Sequence, residues 1–262
     1  MMTPSLHSLF ELKGRTALIT GGSRGLGLEF AEGLAEAGAK VWLSARREQW
    51  LTPAVERLRA NGFMAEGATC DVTNPEDVAK TVDAAVAAFG SVDILVNNAG
   101  VSWSAAAEDM PFDKWRLVLD TNLTGAFLFS QAVAKRSMIP REFGRIINVA
   151  SIAGLKGVMP SGIHYAGYVA SKGGLLALTR ELAAKWAQYN IRVNSISPGF
   201  FPSRMTEDVI AERGEAAMST STPMRRIGRP GELKGVGVFL AADASNFITG
   251  QNIVVDGGRT AV

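Results

Sequence analysis

Cysteine is nearly absent from this chain of 262 residues, and Cys70 is its only representative. No intrachain disulfide can form, which excludes a disulfide-stapled scaffold and favours a reducing compartment such as the cytoplasm. Histidine is also scarce, because the chain contains only His7 and His164. Two histidines so far apart do not indicate a metal site, and we expect none.

The chain also lacks long apolar runs and an excess of one charge. No run of about 18 apolar residues occurs, so we expect no transmembrane helix. The first residues have neither a basic start nor an apolar stretch typical of a signal peptide. Lys and Arg number 27 and Asp and Glu 25, a balance that does not indicate nucleic-acid binding. We therefore expect neither a membrane nor a nucleic-acid partner.

Short apolar or β-branched segments alternate with longer amphipathic ones along the chain. The predicted strands are residues 16–20, 40–44, 62–67, 92–98, 144–151, 191–198 and 252–256, and the clearest predicted helices are residues 27–38 and 75–90. This alternation is typical of an α/β protein with a doubly wound parallel sheet, the Rossmann fold, with helices on both faces. No linker-like stretch divides the chain, so we predict a single domain over residues 1–262.

Residues 200–229 interrupt this alternation. They contain Pro202, Gly214, Pro223 and Gly228 around a short helix-like run, and they follow the end of a predicted strand. An insertion after the carboxyl end of a strand is where a substrate lid is expected in such folds. We predict a lid over these residues.

A glycine-rich turn follows the first predicted strand. The segment TALITGGSRGLGLEF runs from that strand into a helix and carries Gly21, Gly25 and Gly27. Glycines allow a tight turn and let a pyrophosphate approach the helix N-terminus, where free N–H groups favour anions. The context of strand, turn and helix predicts dinucleotide binding.

The end of the second predicted strand indicates which dinucleotide is bound. A NAD site places an acidic residue there to hold the ribose 2′-hydroxyl, but this chain has Ala45 followed by Arg46 and Arg47. Guanidinium groups suit a 2′-phosphate, and Arg24 in the glycine turn adds another. We therefore favour NADP(H) over NAD, although Arg46 and Arg47 would also suit the start of a solvated helix.

The segment YVASK places Tyr168 and Lys172 one helical turn apart, so both side chains share a helix face. A nearby ammonium favours phenolate, and we expect Lys172 to lower the pKa of Tyr168. Tyr168 would then act as a proton donor or acceptor near neutral pH. The pair would equally suit an exposed aromatic ring beside an exposed amine.

Together these motifs resemble those of the classical short-chain dehydrogenase/reductase family, in the family's order and over nearly the whole chain. The matching segments are TGGSRGLG (20–27), CDV (70–72), NNAG (97–100), DTNLTGAF (120–127), NVAS (148–151), YVASK (168–172), SPGF (197–200) and ITGQNIVVDGG (248–258). The resemblance implies an oxidoreductase that interconverts a ketone and a secondary alcohol by hydride transfer.

The resemblance also implies roles for four catalytic residues. Tyr168 would be the general acid in carbonyl reduction and the general base in alcohol oxidation. Lys172 would lower its pKa and bind the nicotinamide ribose. Ser151 would hydrogen-bond the substrate oxygen, and Asn122 would hold a water in a proton relay from Lys172.

A second implied set binds the cofactor along its length. Its members are Gly21, Ser23, Arg24, Gly25, Leu26 and Gly27 at the diphosphate and adenosine ribose, Arg46 and Arg47 at the 2′-phosphate, Asp71 and Val72 at the adenine, Asn98, Ala99 and Gly100 at a ribose, and Pro198, Gly199, Phe201 and Ser203 at the nicotinamide. Ser203 stands where the family often has threonine, and Pro202 before it is less usual.

One departure from the family pattern concerns the spacing of the catalytic pair. More residues separate Ser151 from Tyr168 than is usual, which indicates a short insertion between them. Tyr165 lies nearer to Ser151, but its fourth neighbour is Val169 rather than a lysine. We therefore assign the acid–base role to Tyr168 and expect Tyr165 to form a pocket wall or to pack at the helix start.

The substrate pocket is expected between Trp103, residues 152–165 and the lid. An apolar pocket would suit a 3-oxoacyl thioester or a bulky ketone, and its predicted members are Trp103, Met159, Phe200, Phe201, Met205 and Met218. Lys156 and Arg204 would instead hold the carboxylate of a sugar acid. Within the family the chain is similar both to 3-oxoacyl reductases, through PGFFPSRMT (198–206), and to gluconate 5-dehydrogenases.

Two alternatives of function and one of assembly remain open. A member that binds a dinucleotide without catalysis would be a regulator, and an NAD-linked member would oxidise alcohols. The predicted helices 112–137 and 165–189 carry apolar faces that would pack on the sheet. The family resemblance implies instead that they form a four-helix interface in a homotetramer or homodimer.

Overall fold

The computed structural model describes residues 4–157, 164–220 and 222–262. A seven-stranded, entirely parallel sheet with the order β3-β2-β1-β4-β5-β6-β7 lies at its centre. The strands are β1 Thr16–Thr20, β2 Lys40–Ala45, β3 Ala65–Thr69, β4 Ile94–Asn97, β5 Gly144–Val149, β6 Ile191–Pro198 and β7 Asn252–Val255. The doubly wound parallel sheet predicted from the sequence is confirmed.

Helices cover both faces of this sheet. They are α1 Leu6–Phe10, α2 Gly25–Glu36, α3 Glu48–Ala60, α4 Pro75–Phe89, α5 Phe112–Leu119, α6 Gly125–Val133, α7 Ile139–Arg141, α8 Ala166–Trp186, α9 Arg204–Arg213, α10 Glu215–Thr220 and α11 Lys234–Ala241. The predicted helix 112–137 contains two π-helical turns, Asp120–Thr124 and Ala134–Met138, between α5, α6 and α7. Among the described residues, no helix is both long and apolar enough to cross a bilayer.

The third strand lies later in the chain than the predicted residues 62–67. Gly62 has a φ of +83°, a left-handed conformation that ends helix α3 and cannot continue into a strand. Pairing with β2 therefore begins at Ala65, which lies opposite Val41. The other strands agree with the predicted bounds to within two residues at each end.

Two apolar cores lie on opposite faces of the sheet. One packs side chains such as Phe30 and Leu240 from α2 and α11 against the sheet. The other packs Val82, Phe129 and Leu182 from α4, α6 and α8. Strands β1, β4 and β5 are buried along their whole length, as a parallel sheet covered on both faces requires.

A buried polar network joins the sheet to the helices that carry the candidate site. The Asn97 amide in β4 donates to Ser130 Oγ in α6 and to Asn148 Oδ1 in β5, both at 2.9 Å. The Asn148 amide in turn donates to Thr179 Oγ1 in α8 at 2.9 Å. Because buried polar groups are costly unless hydrogen-bonded, these bonds fix how α6 and α8 sit on the sheet.

Replacing Asp93 should strongly destabilise the fold. Its carboxylate is 1% exposed, accepts from the Thr16 backbone N–H at 2.8 Å, and pairs with Arg141 at 2.6 Å. Asp93→Ala should lower the free energy of unfolding by about 3 kcal/mol, because a buried N–H loses its partner. Urea denaturation followed by circular dichroism measures this change.

The matched control is Asp83→Ala, which removes an exposed ion pair with Arg136 of 3.0 Å. That change should cost less than about 1 kcal/mol, since exposed pairs contribute little. Equal losses for the two variants would contradict the role given to Asp93.

Candidate active site

The candidate site lies at the carboxyl edge of the sheet, where the strand order reverses. Strand β1 pairs with β2 on one side and β4 on the other, so the connections leaving β1 and β4 diverge to opposite faces. In open α/β sheets this reversal opens the crevice in which ligands bind. The glycine turn after β1 forms one side of this crevice, and residues 98–100 after β4 form the other.

Asn98 joins these two sides of the crevice by hydrogen bonds. Its amide donates to the carbonyls of Thr20 at 3.0 Å and Gly21 at 3.1 Å, while its backbone N–H donates to Thr20 Oγ1 at 3.0 Å. Ala99 N–H also donates to Thr20 Oγ1 at 3.0 Å. These bonds give the predicted residues 98–100 a fixed position beside the glycine turn.

Several positions of the glycine turn require glycine, and Gly21 and Gly27 show the two reasons. Gly21 has a φ of +64°, which side-chain-bearing residues rarely adopt. At Gly27 a Cβ would overlap the Gly21 carbonyl oxygen and the Asn98 amide. The backbone therefore folds back on itself at the start of α2, whose first N–H groups have no partner within the helix. This geometry fits a pyrophosphate at a helix N-terminus.

The predicted arginines follow two neighbouring strands, Arg24 in the turn after β1 and Arg46 and Arg47 after the end of β2. Arg24, Arg46 and Arg47 are all exposed. The Arg24 guanidinium carbon lies 5.3 Å from the ring centroid of Trp50 in the first turn of α3. Sequence reasoning missed Trp50, because nothing in the order of residues shows that α3 faces the glycine turn.

Asp71 and Val72 leave the end of β3 on the same side of the crevice. Asp71 Oδ1 accepts from Thr73 at two atoms, the backbone N–H at 2.9 Å and Oγ1 at 2.8 Å. Val72 is buried against Gly125, where a Cβ would meet its side chain at 2.8 Å. The exposed Asp71 and the buried Val72 thus form a local turn that joins β3 to α4.

Ser151, Tyr168 and Lys172 come together although distant in sequence. Ser151 follows β5, and its Oγ accepts from the Ala153 N–H at 3.1 Å and hydrogen-bonds the Tyr168 side chain. Lys172 is 4% exposed, donates from Nζ to the Val149 carbonyl at 2.7 Å, and lies 5.6 Å from the Tyr168 ring centroid. The wide spacing between residues 151 and 168 therefore does not separate the serine from the tyrosine.

The predicted direction of the Tyr168 pKa is wrong for this structure. Burial raises its pKa to about 12; the hydrogen bond from Ser151 opposes this rise, and the charge of Tyr165 adds to it. Burial also lowers the pKa of Lys172 to about 8, because its ammonium is removed from water. The one-turn spacing placed the lysine correctly but did not reveal how deeply the pair is buried.

Asn122 lies in the first π-helical turn, and its side chain makes three hydrogen bonds within the protein. Its Oδ1 accepts from Val101 N–H at 2.8 Å, and its Nδ2 donates to the Val101 carbonyl at 2.9 Å and to Ser171 Oγ at 3.0 Å. Ser171 Oγ donates onward to the Tyr168 carbonyl at 2.8 Å. The amide thus holds the segment after β4 against α8, and both of its N–H donors are used within the protein.

The end of β6 leads directly into the predicted lid. At Gly199 a Cβ would meet Asp256 at 2.8 Å, so only glycine fits beside the end of β7. Phe201 is 5% exposed and packs in the core rather than on an open surface. Ser203 starts α9 with a capping box to Thr206, and its Cβ lies 3.7 Å from where a Gly25 Cβ would be.

The walls of the crevice combine apolar and cationic side chains. Trp103 is 41% exposed, and the Tyr165 ring packs edge-on against Tyr168 with centroids 5.7 Å apart. Sequence reasoning missed Arg259. Its guanidinium carbon lies 4.8 Å from the ring centroid of Phe200. Its backbone carbonyl accepts a hydrogen bond from Lys156 Nζ at 3.4 Å.

The remaining predicted pocket residues differ in exposure. Met218 is buried, Met205 is 41% exposed, and Met159 lies outside the described residues. Arg204 is exposed and lies 3.7 Å from Glu207 of its own helix. Met218 is therefore less available to a substrate than the sequence indicated.

Comparisons with known proteins agree with this arrangement. A family model described as enoyl-(acyl carrier protein) reductase matches residues 21–260. Gluconate 5-dehydrogenase of Gluconobacter oxydans is 40% identical over 256 residues, covering 96% of this chain and 97% of that protein. The rhamnolipids biosynthesis 3-oxoacyl-[acyl-carrier-protein] reductase of Pseudomonas aeruginosa is 38% identical, covering 97% and 99%.

A solved structure extends the likeness to three dimensions. The crystal structure of a gluconate 5-dehydrogenase from Burkholderia cenocepacia in complex with NADP and tartrate has a TM-score of 0.92 to this chain. The two are 38% identical, and the match covers 98% of this chain and all of that one, 100%.

Gly27→Ala should abolish dinucleotide binding while leaving the protein folded. The added methyl would displace the Gly21 carbonyl or the Asn98 amide and so distort the turn. Isothermal titration calorimetry with NADPH measures the loss, which should exceed about 30-fold in Kd if the displaced turn costs about 2 kcal/mol.

Gly235→Ala is the control, because a Cβ there meets nothing within 4 Å and lies in helix α11. It should bind NADPH as the unmodified chain does. Normal binding by the Gly27 variant would show that the turn does not hold the diphosphate.

Proposed function

The chain belongs to the short-chain dehydrogenase/reductase family, and we propose that it is an NADP(H)-dependent oxidoreductase that interconverts a ketone and a secondary alcohol. The observation that carries this proposal is the meeting of Ser151, Tyr168 and Lys172 at the carboxyl edge of the sheet, beside a glycine turn. A phenol, a hydroxyl and a buried ammonium in one crevice supply what proton transfer to a carbonyl needs.

The residues around the glycine turn fit NADP(H). The close packing at Gly21 and Gly27 fixes the turn before α2, whose first N–H groups would bind a diphosphate. Arg24, Arg46 and Arg47 are exposed where a 2′-phosphate would extend. Asp71 and Val72 would border the adenine, residues 98–100 a ribose, and Pro198, Gly199, Phe201 and Ser203 the nicotinamide. When bound, the nicotinamide supplies or accepts the hydride.

Tyr168 holds the proton that the carbonyl oxygen receives. Because burial raises its pKa to about 12, its phenol is neutral through the physiological range and carries the proton that ketone reduction consumes. Ser151 Oγ, hydrogen-bonded to the same phenol, would donate to the substrate oxygen as negative charge develops on it. These two groups would polarise the carbonyl from one side.

Lys172 supplies positive charge beneath the Tyr168 ring. As the phenol loses its proton in reduction, the ammonium 5.6 Å from the ring centroid stabilises the phenolate that remains. Asn122 keeps α8 and the segment after β4 in register, and its backbone would hold the water that returns a proton through Lys172.

Two substrate classes fit the crevice. Trp103, Phe200 and Tyr165 would contact an acyl chain or bulky ketone, while Lys156 and Arg259 lie where a carboxylate of a sugar acid would be held. The curated relatives include enzymes of both kinds at similar identity. Residues 200–229, with α9 and α10, would form the lid over either substrate.

Assembly and compartment follow the family expectation. Leu123, Phe127 and Leu178 line an exposed apolar hollow between α6 and α8, which supports a four-helix interface in a homotetramer or homodimer. The single cysteine, Cys70, is a buried free thiol, which suits a reducing compartment such as the cytoplasm.

A catalytically silent regulator would have no need for the assembled Ser151, Tyr168 and Lys172.

NADPH oxidation with a substrate panel tests the proposed function. The panel contains a 3-oxoacyl thioester, 5-keto-D-gluconate, an aromatic ketone and an enoyl thioester. Turnover of at least one ketone is expected, and Tyr168→Phe should lower kcat about 10²- to 10⁴-fold without changing NADPH affinity, because only the proton donor is lost.

Tyr189→Phe, at the far end of α8, is the control and should leave kcat unchanged. NADPH binding without turnover of any ketone would favour the regulator. Turnover of the enoyl thioester alone would identify a different reaction.

The pH dependence of ketone reduction should follow Lys172. Its pKa of about 8 lies below the ordinary value of 10.5, so the ammonium is intact at neutral pH and is lost as pH rises through about 8. We expect kcat/KM for reduction to be level between pH 6 and 7 and to fall above about 8.

In Lys172→Arg the guanidinium stays charged throughout this range, so the falling limb should move well above pH 9 even if kcat is lower. If kcat/KM of this variant still falls above about pH 8, the fall belongs to a group other than Lys172.

A further inference from the structure

The chain segments that leave β1 and β2 meet beside the candidate cofactor site. These strands are neighbours, and their last paired residues are Thr20 and Ser44. The Gly22 N–H donates to the Ser44 carbonyl at 3.1 Å, which joins the glycine turn to the end of β2. Residues shortly after each strand are therefore brought to one corner of the crevice.

That corner holds three arginines and one large aromatic ring. Arg24 is at the N-cap of α2, Arg46 and Arg47 follow β2, and Trp50 lies in the first turn of α3. Trp50 is 43% exposed, so much of its ring is not used in the core. Within the described ranges, no carboxylate forms an ion pair with any of these arginines; Glu48 is the acidic residue in the same turn as Trp50.

We propose that Trp50 is a positioning residue for coenzyme selectivity, which holds the Arg24 guanidinium for the 2′-phosphate of NADP(H). The guanidinium carbon lies 5.3 Å from the ring centroid, within the range of a cation–π contact. This inference rests on the proposed use of NADP(H), and it adds a residue that does not itself touch the phosphate.

The physical reason lies in the flexibility of an exposed arginine. An unrestrained side chain of this length loses rotamer freedom when it grips a phosphate. A ring against the guanidinium face restricts those rotamers beforehand, while the N–H groups at its edge stay free for bidentate bonding. Trp50 therefore lowers the entropic cost of binding the 2′-phosphate and has no such effect on a 2′-hydroxyl.

Coupling between the two residues distinguishes this role from stacking on the adenine. Adenine is common to NADPH and NADH, so a ring that contacts the base would affect both. A ring that acts through Arg24 affects only the phosphorylated form, and only while Arg24 is present. A double-mutant cycle measures this dependence directly.

The experiment is calorimetric titration of NADPH and NADH, with 2′,5′-ADP and 5′-AMP as smaller probes, into the full chain and its variants. Trp50→Leu should weaken NADPH and 2′,5′-ADP about two- to fivefold, the range of an exposed cation–π contact, and leave NADH and 5′-AMP unchanged. In an Arg24→Ala background, Trp50→Leu should have no further effect. Phe10→Leu, another partly exposed aromatic away from this corner, should change nothing.

Equal weakening of NADPH and NADH, or an equal effect with and without Arg24, would overturn the inference. Failure of the proposed function looks different, because the unmodified chain would then bind NADPH no better than NADH, or neither. A chain that prefers NADPH through Arg24 but shows no coupling to Trp50 would leave the proposed function intact and remove this inference alone.

Discussion

The parallel pairing of β1 with both β2 and β4 places the two parts of the candidate site at one edge of the sheet. Parallel strands end at the same edge, so the turns that follow them share one rim of the sheet. On the β2 side of the reversal that rim carries arginines, and on the β5 side it carries Ser151. The cationic part of the candidate site, which would bind phosphate, and the part that would transfer a proton therefore share one edge of the sheet.

Burial of Lys172 gives the proton-transferring half its character. An ammonium that is 4% exposed is costly, and the charge-assisted bond to the Val149 carbonyl offsets part of that cost. The cost of burying the ammonium lowers the pKa of Lys172 to about 8. Because Val149 is the last residue of β5, the lysine is anchored to the same strand end that presents Ser151, and helix α8 brings Tyr168 with it.

The sequence was informative for several features that depend on neighbours along the chain, although it placed the start of β3 too early. The glycine turn, the bounds of β1 and β6, and the spacing of Tyr168 and Lys172 all follow from local geometry. Trp50 and Arg259 were missed because their contacts join segments far apart in the sequence. The sign of the Tyr168 pKa was wrong for the same reason: spacing shows that a charge is near, whereas burial depends on what the rest of the chain packs around it.

Asn122 was expected to act in catalysis, but its side chain holds neighbouring segments of the structure in place. An amide side chain offers one acceptor oxygen and two N–H donors, and here Val101 and Ser171 engage all three. Ser171 in turn donates to the Tyr168 carbonyl, so the hydrogen bonds run from the segment after β4 to the backbone of the proposed proton donor. The π-helical turn at residues 120–124 is what sets Asn122 between them. Its side chain therefore holds Tyr168 and the segment after β4 in a fixed relation.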